Sequence, residues 1–76
     1  MEEKIREEIR RIERRMEWKL ESLNKAVEEF KASAASYDDY NITTFLPGKI
    51  EEIARYRAEV EKLAEQKQML EYMIEA

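Results

Sequence analysis

The sequence predicts an all-α protein, an antiparallel two-helix hairpin that pairs with a second copy to form a four-helix bundle. Charged residues make up 42% of the chain, which has one Gly and one Pro, and this composition is typical of water-exposed helices with an apolar stripe. Apolar residues recur at steps of three and four in two long segments. We expect a single domain, 1–76, with a helix over about 2–36, an aromatic-containing loop over about 37–46 and a helix over about 47–75.

The first helix is predicted by an unbroken apolar series. Its members are Ile5, Ile9, Ile12, Met16, Leu20, Leu23, Val27, Phe30 and Ala34. The steps average about 3.6 residues, which is one helical turn, so the series forms one straight stripe along a helix.

The second helix is predicted by a similar series with a shorter average step. Its members are Ile53, Tyr56, Val60, Leu63, Lys67, Leu70 and Ile74. The steps alternate three and four and average about 3.5 residues, the spacing of coiled-coil helices, so this stripe winds gently around its helix. Pro47 suits the first turn of the helix, where no backbone N–H is needed.

The connection between the helices contains residues that disfavour a helix, among them Asp38, Asp39 and Asn41. It also contains aromatic and aliphatic side chains that a flexible linker does not need: Tyr37, Tyr40, Ile42, Phe45 and Leu46. Two interpretations are open. These side chains fold back to plug the open end of the hairpin, or they form a docking loop for another protein.

Antiparallel pairing sets the two stripes against each other if the chain reverses near Asn41 and Ile42. Ile9 then meets Ile74, Ile12 meets Leu70, and Met16 falls beside Lys67. A lysine at a core-facing position costs stability unless its ammonium reaches water or a carboxylate, and Glu13 and Glu17 are the nearest carboxylates. Lys67 is thus either a side chain that extends to solvent or one that sets register.

Oligomerisation is expected because a chain of 76 residues rarely builds a sufficient core alone and has no Cys or His for disulfides or ordinary zinc sites. Two helices leave one flank of each stripe wet, and a homodimer is the simplest way to cover it. The predicted oligomer interface consists of Ile9, Ile12, Met16, Leu20, Leu23, Val60, Leu63, Lys67, Leu70, Met73 and Ile74.

The sequence carries no recognisable catalytic, metal or cofactor site. The usual general base, the thiolate nucleophile and most transition-metal ligands need His or Cys. Adjacent carboxylates such as Glu7 and Glu8 point about 100° apart on a helix, so they do not converge on a ligand. We therefore expect a protein that is not an enzyme and that binds no cofactor and no metal.

One group of residues is a candidate partner-binding surface. Trp18 lies nearly opposite the apolar stripe on a helical wheel, with basic neighbours that could bind carboxylates or phosphates. Three interpretations are open: arginine stems cover the ring, the ring contacts protein, or the basic residues contact nucleic acid. The candidate residues, with two aromatics of the loop, are Arg11, Arg14, Arg15, Trp18, Lys25, Tyr40 and Phe45.

These patterns favour a small assembly or adaptor protein that works through homo-oligomerisation, as a dimer, and through helix-mediated contacts with another protein. The alternative is a nucleic-acid-binding regulator that uses the basic face of the first helix, although the net charge of −4 argues against general affinity for nucleic acid. No apolar run approaches the roughly 18 residues of a membrane span, and the N-terminus lacks a signal-peptide core, so we expect a cytoplasmic protein.

Overall fold

The computed structural model describes residues 2–35 and 38–75, which form an antiparallel helical hairpin, as predicted. Helix α1 spans Glu2–Ala34, a π-helical segment spans Asn41–Phe45, and helix α2 spans Leu46–Glu75. Ion pairs between the helices join residues progressively later in α1 to residues progressively earlier in α2, which fixes the antiparallel direction. The backbone measures 56 × 14 × 13 Å.

Helix α1 begins and ends with charges that suit the helix dipole. Glu2 and Glu3 lie in its first turn and Lys31 in its last. The helix ends at Ala34, slightly before the predicted end near residue 36, and residues 36 and 37 lie outside the described part of the chain.

The predicted loop over 37–46 is wrong for most of its length, because the chain is already helical from Asp39. Asp38 acts as an N-cap: its Oδ1 accepts a hydrogen bond from the Tyr40 N–H at 2.9 Å, and its carbonyl accepts one from the Ile42 N–H at 3.1 Å. The Thr43 hydroxyl donates to the Asp39 carbonyl at 2.6 Å. The aspartates that disfavour a helix interior therefore start this helix.

The π-helical segment directly precedes Pro47. The Leu46 N–H donates to the Asn41 carbonyl, five residues back, so this turn is wider than an α-helical turn. Proline lacks an N–H, and its ring clashes with the carbonyl four residues earlier in a regular α-helix. The wide turn accommodates Pro47, which lies in the first turn of α2, as predicted. Helix α2 begins at Leu46, close to the predicted start near residue 47.

The packed side of α1 departs from the predicted straight stripe. We call the buried and half-buried residues spaced alternately three and four apart the seam. In α1 it consists of Ile5, Ile9, Ile12, Met16, Lys19, Leu23, Ala26, Phe30 and Ser33. Leu20 and Ala34 are exposed instead, and the more polar Lys19 and Ser33 occupy the seam. The seam spacing averages about 3.5 residues, which keeps one side of α1 against α2 along its whole length.

The seam of α2 includes the whole predicted series and extends it toward the turn. It consists of Leu46, Lys49, Ile53, Tyr56, Val60, Leu63, Lys67, Leu70 and Ile74, all half-buried. The Lys67 ammonium lies 3.9 Å from Glu13, one of the two carboxylates predicted to meet it.

Little of the described chain is fully buried. Only Ile12 and Ala26, 4% and 2% exposed, are buried among the residues that the structure describes. Ala26 and Tyr56 line the same cleft between the two helices. The remaining seam residues keep part of their surface in water, because each touches one neighbouring helix.

Candidate interaction surfaces

Two flanks of the seam carry the exposed apolar side chains, and surface clefts show which residues share each flank. One cleft joins Arg6 and Glu13 of α1 to Glu71 of α2. A second, on the other flank, joins Arg15 to Gln66. Residues spaced by seven lie on the same face of a packed helix. The residues that line each cleft therefore identify a row of further residues on the same flank, seven positions apart along each helix.

In its middle the first flank carries apolar residues interleaved with exposed polar ones, Asn24 and Glu61. We call the apolar residues Leu20, Val27, Ile50 and Ala64, each of which directly follows a seam residue, the aliphatic face. Leu20 is 41% exposed and Ile50 54% exposed, whereas Val27 and Ala64 are half-buried. Arg57 also belongs to this row and is exposed, with an i,i+4 ion pair to Glu61 at 3.5 Å.

The aliphatic face ends in a charged cleft at the open end of the hairpin. The cleft has a volume of about 420 Å³ and lies over Ile9 and Ile74, which meet there as predicted. On the α1 side it is lined by Arg6, Arg10 and Glu13, and on the α2 side by Glu71 and Glu75. The side chains of α1 that line the cleft thus carry a net positive charge, and those of α2 carry only negative charge.

The second flank carries Trp18, which is 74% exposed, in agreement with its predicted outward position. The ring borders an open cleft of about 430 Å³ whose floor includes Leu63. Arg15, Lys19 and Lys62 supply positive charge around this cleft, and Glu59 supplies one negative charge. We call it the Trp18 cleft. Trp18 therefore lies at the edge of the helix pair, where a partner could contact both helices.

The structure brings together only some of the predicted partner-binding residues. Arg15 shares the Trp18 cleft, whereas Arg11 forms an ion pair with Glu8 at 3.2 Å and Lys25 lines the next cleft toward the turn. Arg14 is exposed on α1 outside the cleft.

The two predicted loop aromatics lie at the turn end of the hairpin. Ala34, at that end of α1, is about 24 Å along the helix axis from Trp18. Tyr40 is 62% exposed, whereas Phe45 is half-buried. Tyr37, the other aromatic of the predicted loop, lies outside the described residues.

An ion pair between Lys19 and Glu59 forms one wall of the Trp18 cleft, and the sequence patterns did not reveal it. The ammonium lies 2.7 Å from Glu59 Oε2, an atom that is shielded from solvent. Hydrogen bonding from Lys19 lowers the pKa of Glu59, against the opposing effect of its burial. Lys19 also lies 5.6 Å from the centroid of the Tyr56 ring. A seam lysine is thus held between a carboxylate and an aromatic face.

A second lysine network, equally unforeseen, closes the turn end of the hairpin. The side chain of Lys49 is 12% exposed; it donates to Glu29 of α1 and, at 3.1 Å, to Glu52 of α2. Hydrogen bonds to these carboxylates raise the pKa of Lys49, and the hydrogen bond from Lys49 lowers the pKa of Glu29. Extending the α2 series back through Leu46 and Lys49 would have revealed this seam position.

Near the open end, α2 exposes a third apolar group. Met69, Tyr72 and Met73 are 68%, 73% and 58% exposed. Met69 and Met73 also border a cleft with Gln66, which in turn lines the Trp18 cleft. The exposed methionines therefore continue the Trp18 flank.

Within residues 2–35 and 38–75, no group of three or more carboxylates is arranged to hold a metal ion. In the same part of the chain, neither helix has a stretch that is long and apolar enough to cross a membrane. Comparison with protein-family models, curated proteins and solved structures finds no match.

Proposed function

We propose that the protein is a small, non-enzymatic assembly and adaptor protein. Copies of the hairpin associate through the aliphatic face, and the Trp18 cleft on the other flank receives a different protein. The observation that carries the proposal is the pair of exposed apolar flanks on either side of a seam with very few buried residues.

The exposed area supports association. The chain exposes 6252 Å², whereas a compact monomer of 9.2 kDa exposes about 4,900 Å². A standard protein interface covers about 800 Å² on each partner. The hairpin therefore has more surface to cover than one such interface removes.

The chemistry of the two flanks favours different partners. The aliphatic face offers Leu, Val, Ile and Ala side chains, which pack well against other helices. The Trp18 cleft offers an aromatic anchor with Arg15 and Lys62 beside it, and aromatic and arginine side chains dominate binding energy at interfaces between separate proteins. An acidic segment with an apolar side chain is complementary to this cleft.

Thermal unfolding at two protein concentrations tests the assembly role. The melting temperature of an associating protein rises with concentration, because association stabilises the folded state by mass action. Leu20→Glu places a charge on the aliphatic face and should remove this rise. Ala32→Glu, which adds the same charge at an exposed position elsewhere on α1, should preserve it. A wild-type melting temperature independent of concentration would exclude association in the range tested.

Fluorescence tests the adaptor role, because Trp18 is the chain's only tryptophan. Titration with a synthetic acidic amphipathic peptide should shift the emission of Trp18 to shorter wavelength, and Lys62→Glu should weaken binding. A control peptide with the acidic residues replaced by Gln should bind less. Binding of RNA or duplex DNA with a steep salt dependence, and no response to the acidic peptide, would instead support a nucleic-acid-binding regulator.

A further inference from the structure

We infer that two hairpins associate through their aliphatic faces about a two-fold axis parallel to the helices, with both turns at the same end of the dimer. This inference rests on the proposed self-association and adds the orientation of the second copy. It follows from how apolar and charged residues are distributed on one face.

Face-to-face packing of two identical hairpins allows two kinds of two-fold axis. An axis parallel to the helices places α1 of each copy against α2 of the other, antiparallel and at the same height. A perpendicular axis places α1 against α1 and α2 against α2, with the turns at opposite ends. Both arrangements are closed dimers, so complementarity of the faces must decide between them.

The charges at the open end favour the parallel axis. That axis brings Arg6 and Arg10 of one copy opposite Glu71 and Glu75 of the other, and symmetry repeats the arrangement. Glu13, the remaining carboxylate of this cleft, is near Lys67 of its own chain, at 3.9 Å. Arg6 also pairs with Glu2 at 2.9 Å, but this exposed i,i+4 pair is weak and can exchange partners.

The apolar residues also match under the parallel axis. Leu20 of one copy lies at the height of Ala64 of the other, and Ala34 at the height of Ile50, so in both pairs a large side chain faces a small one, as close packing of helices requires. Val27 lies at the height of Arg57, whose apolar stem can cover it. When two copies overlap fully under the perpendicular axis, Arg6 and Arg10 of one copy face the part of α1 near Lys31 in the other. Glu71 and Glu75 then face the part of α2 near Ile50 in the other copy.

The second copy is the occupant that this face fits best, because its two halves are complementary to each other. One helix contributes the basic residues of the charged end and the other contributes most of the acidic ones, so this end is complementary to that of a second copy under the parallel axis. The chain exposes about 1,300 Å² more than a compact monomer of its mass. This excess is larger than the roughly 800 Å² that each partner covers in a standard interface.

Distances between spin labels test the orientation. The chain has no Cys, so Lys4→Cys provides one nitroxide per chain, near the open end and exposed. The parallel axis predicts a label separation of about 25–35 Å, whereas the perpendicular axis predicts about 50 Å or more, from a helical rise of about 1.5 Å per residue and interaxial distances of about 8–10 Å.

A label at Glu21→Cys, near the middle of α1, gives a short distance in either arrangement and therefore reports association alone. A short distance from both labels supports the inference. A short distance at position 21 with a long one at position 4 overturns the inference and leaves the proposed self-association intact. No distance at either position refutes the self-association as well.

Charge reversal gives an independent test. Arg10→Glu and Glu75→Arg should each weaken homodimers several-fold, because each creates two like-charged contacts across the interface. Mixing the two variants should restore association, because the contacts in the mixed dimer are again of opposite sign. Each variant keeps the like-charged contact within its own chain in the mixture. Restored association therefore reports the charge contacts between the two copies. No preference for mixed dimers would contradict the parallel axis.

Discussion

Replacing Lys67 with Leu should stabilise the protein. The side chain of Lys67 is 31% exposed, so about two-thirds of a leucine placed there would be covered. Burying a whole Leu side chain contributes about 1.5–3 kcal/mol, and two-thirds of that is about 1–2 kcal/mol. The lost ion pair with Glu13 is long, at 3.9 Å, and such pairs contribute about 0–1 kcal/mol. The expected net gain is about 0.5–2 kcal/mol.

Circular dichroism during heating measures this gain. For a domain of this size, about 1 kcal/mol raises the melting temperature by about 4–8 °C. Lys62→Leu is the matched control: it makes the same change on α2 at an exposed position and should alter stability by about 0.5 kcal/mol or less. A melting temperature for Lys67→Leu equal to or below that of the wild type would show that Lys67 does not occupy the seam.

Four further substitutions test three separate parts of the structure by thermal or denaturant unfolding. Gly48→Ala should stabilise by about 0.4–1 kcal/mol, because Gly48 is helical and nothing lies within 4 Å of the added Cβ; destabilisation would mean that the chain is not helical there. Ile12→Ala should destabilise by about 2–5 kcal/mol and Trp18→Ala by about 0.5 kcal/mol or less, and equal losses would place Trp18 in the core. Lys19→Gln removes the partner of Glu59, so lowering the pH should destabilise this variant less than it destabilises the wild type. An equal loss of stability in the two proteins would show that the pair does not contribute to stability.

The direction of this acid effect follows from the lowered pKa of Glu59. A carboxyl group whose pKa is lower in the folded state is protonated more readily in the unfolded state. The contribution of Glu59 to folding stability is therefore complete above the pKa of Glu in the unfolded state, about 4.3. It is lost as the pH falls from there through the folded pKa. The pKa of Glu29 is also lowered in the folded state, so its contribution to stability is likewise lost as the pH falls.

The hairpin itself could be predicted from the sequence because each helix carries a long apolar series with helical spacing. The exact residues of the α1 seam could not be predicted in this way. Hydrophobicity selects Leu20 and Val27 as core residues over their neighbours Lys19 and Ala26. The geometry of two packed helices instead keeps a 3.5-residue spacing, and the lysine stem and small alanine fit that spacing.

The helical path through residues 39–46 was equally hard to predict from composition. Asp38 disfavours a helix interior but is an excellent N-cap, and the distinction depends on where the chain turns. Pro47 lies in the first turn of α2, as predicted, but the helical path does not begin there, because a π-helical segment precedes α2. Of the candidate site, the exposure of Trp18 could be predicted; its cleft against Leu63 could not, because it depends on the register of α2.

Sedimentation equilibrium of the unmodified protein at micromolar concentration determines whether the aliphatic face joins copies of this chain. A dimer of 9.2 kDa chains has a mass of 2 × 9.2 = 18.4 kDa, and association predicts this value or a larger multiple. A mass of 9.2 kDa for a fully helical protein would contradict it.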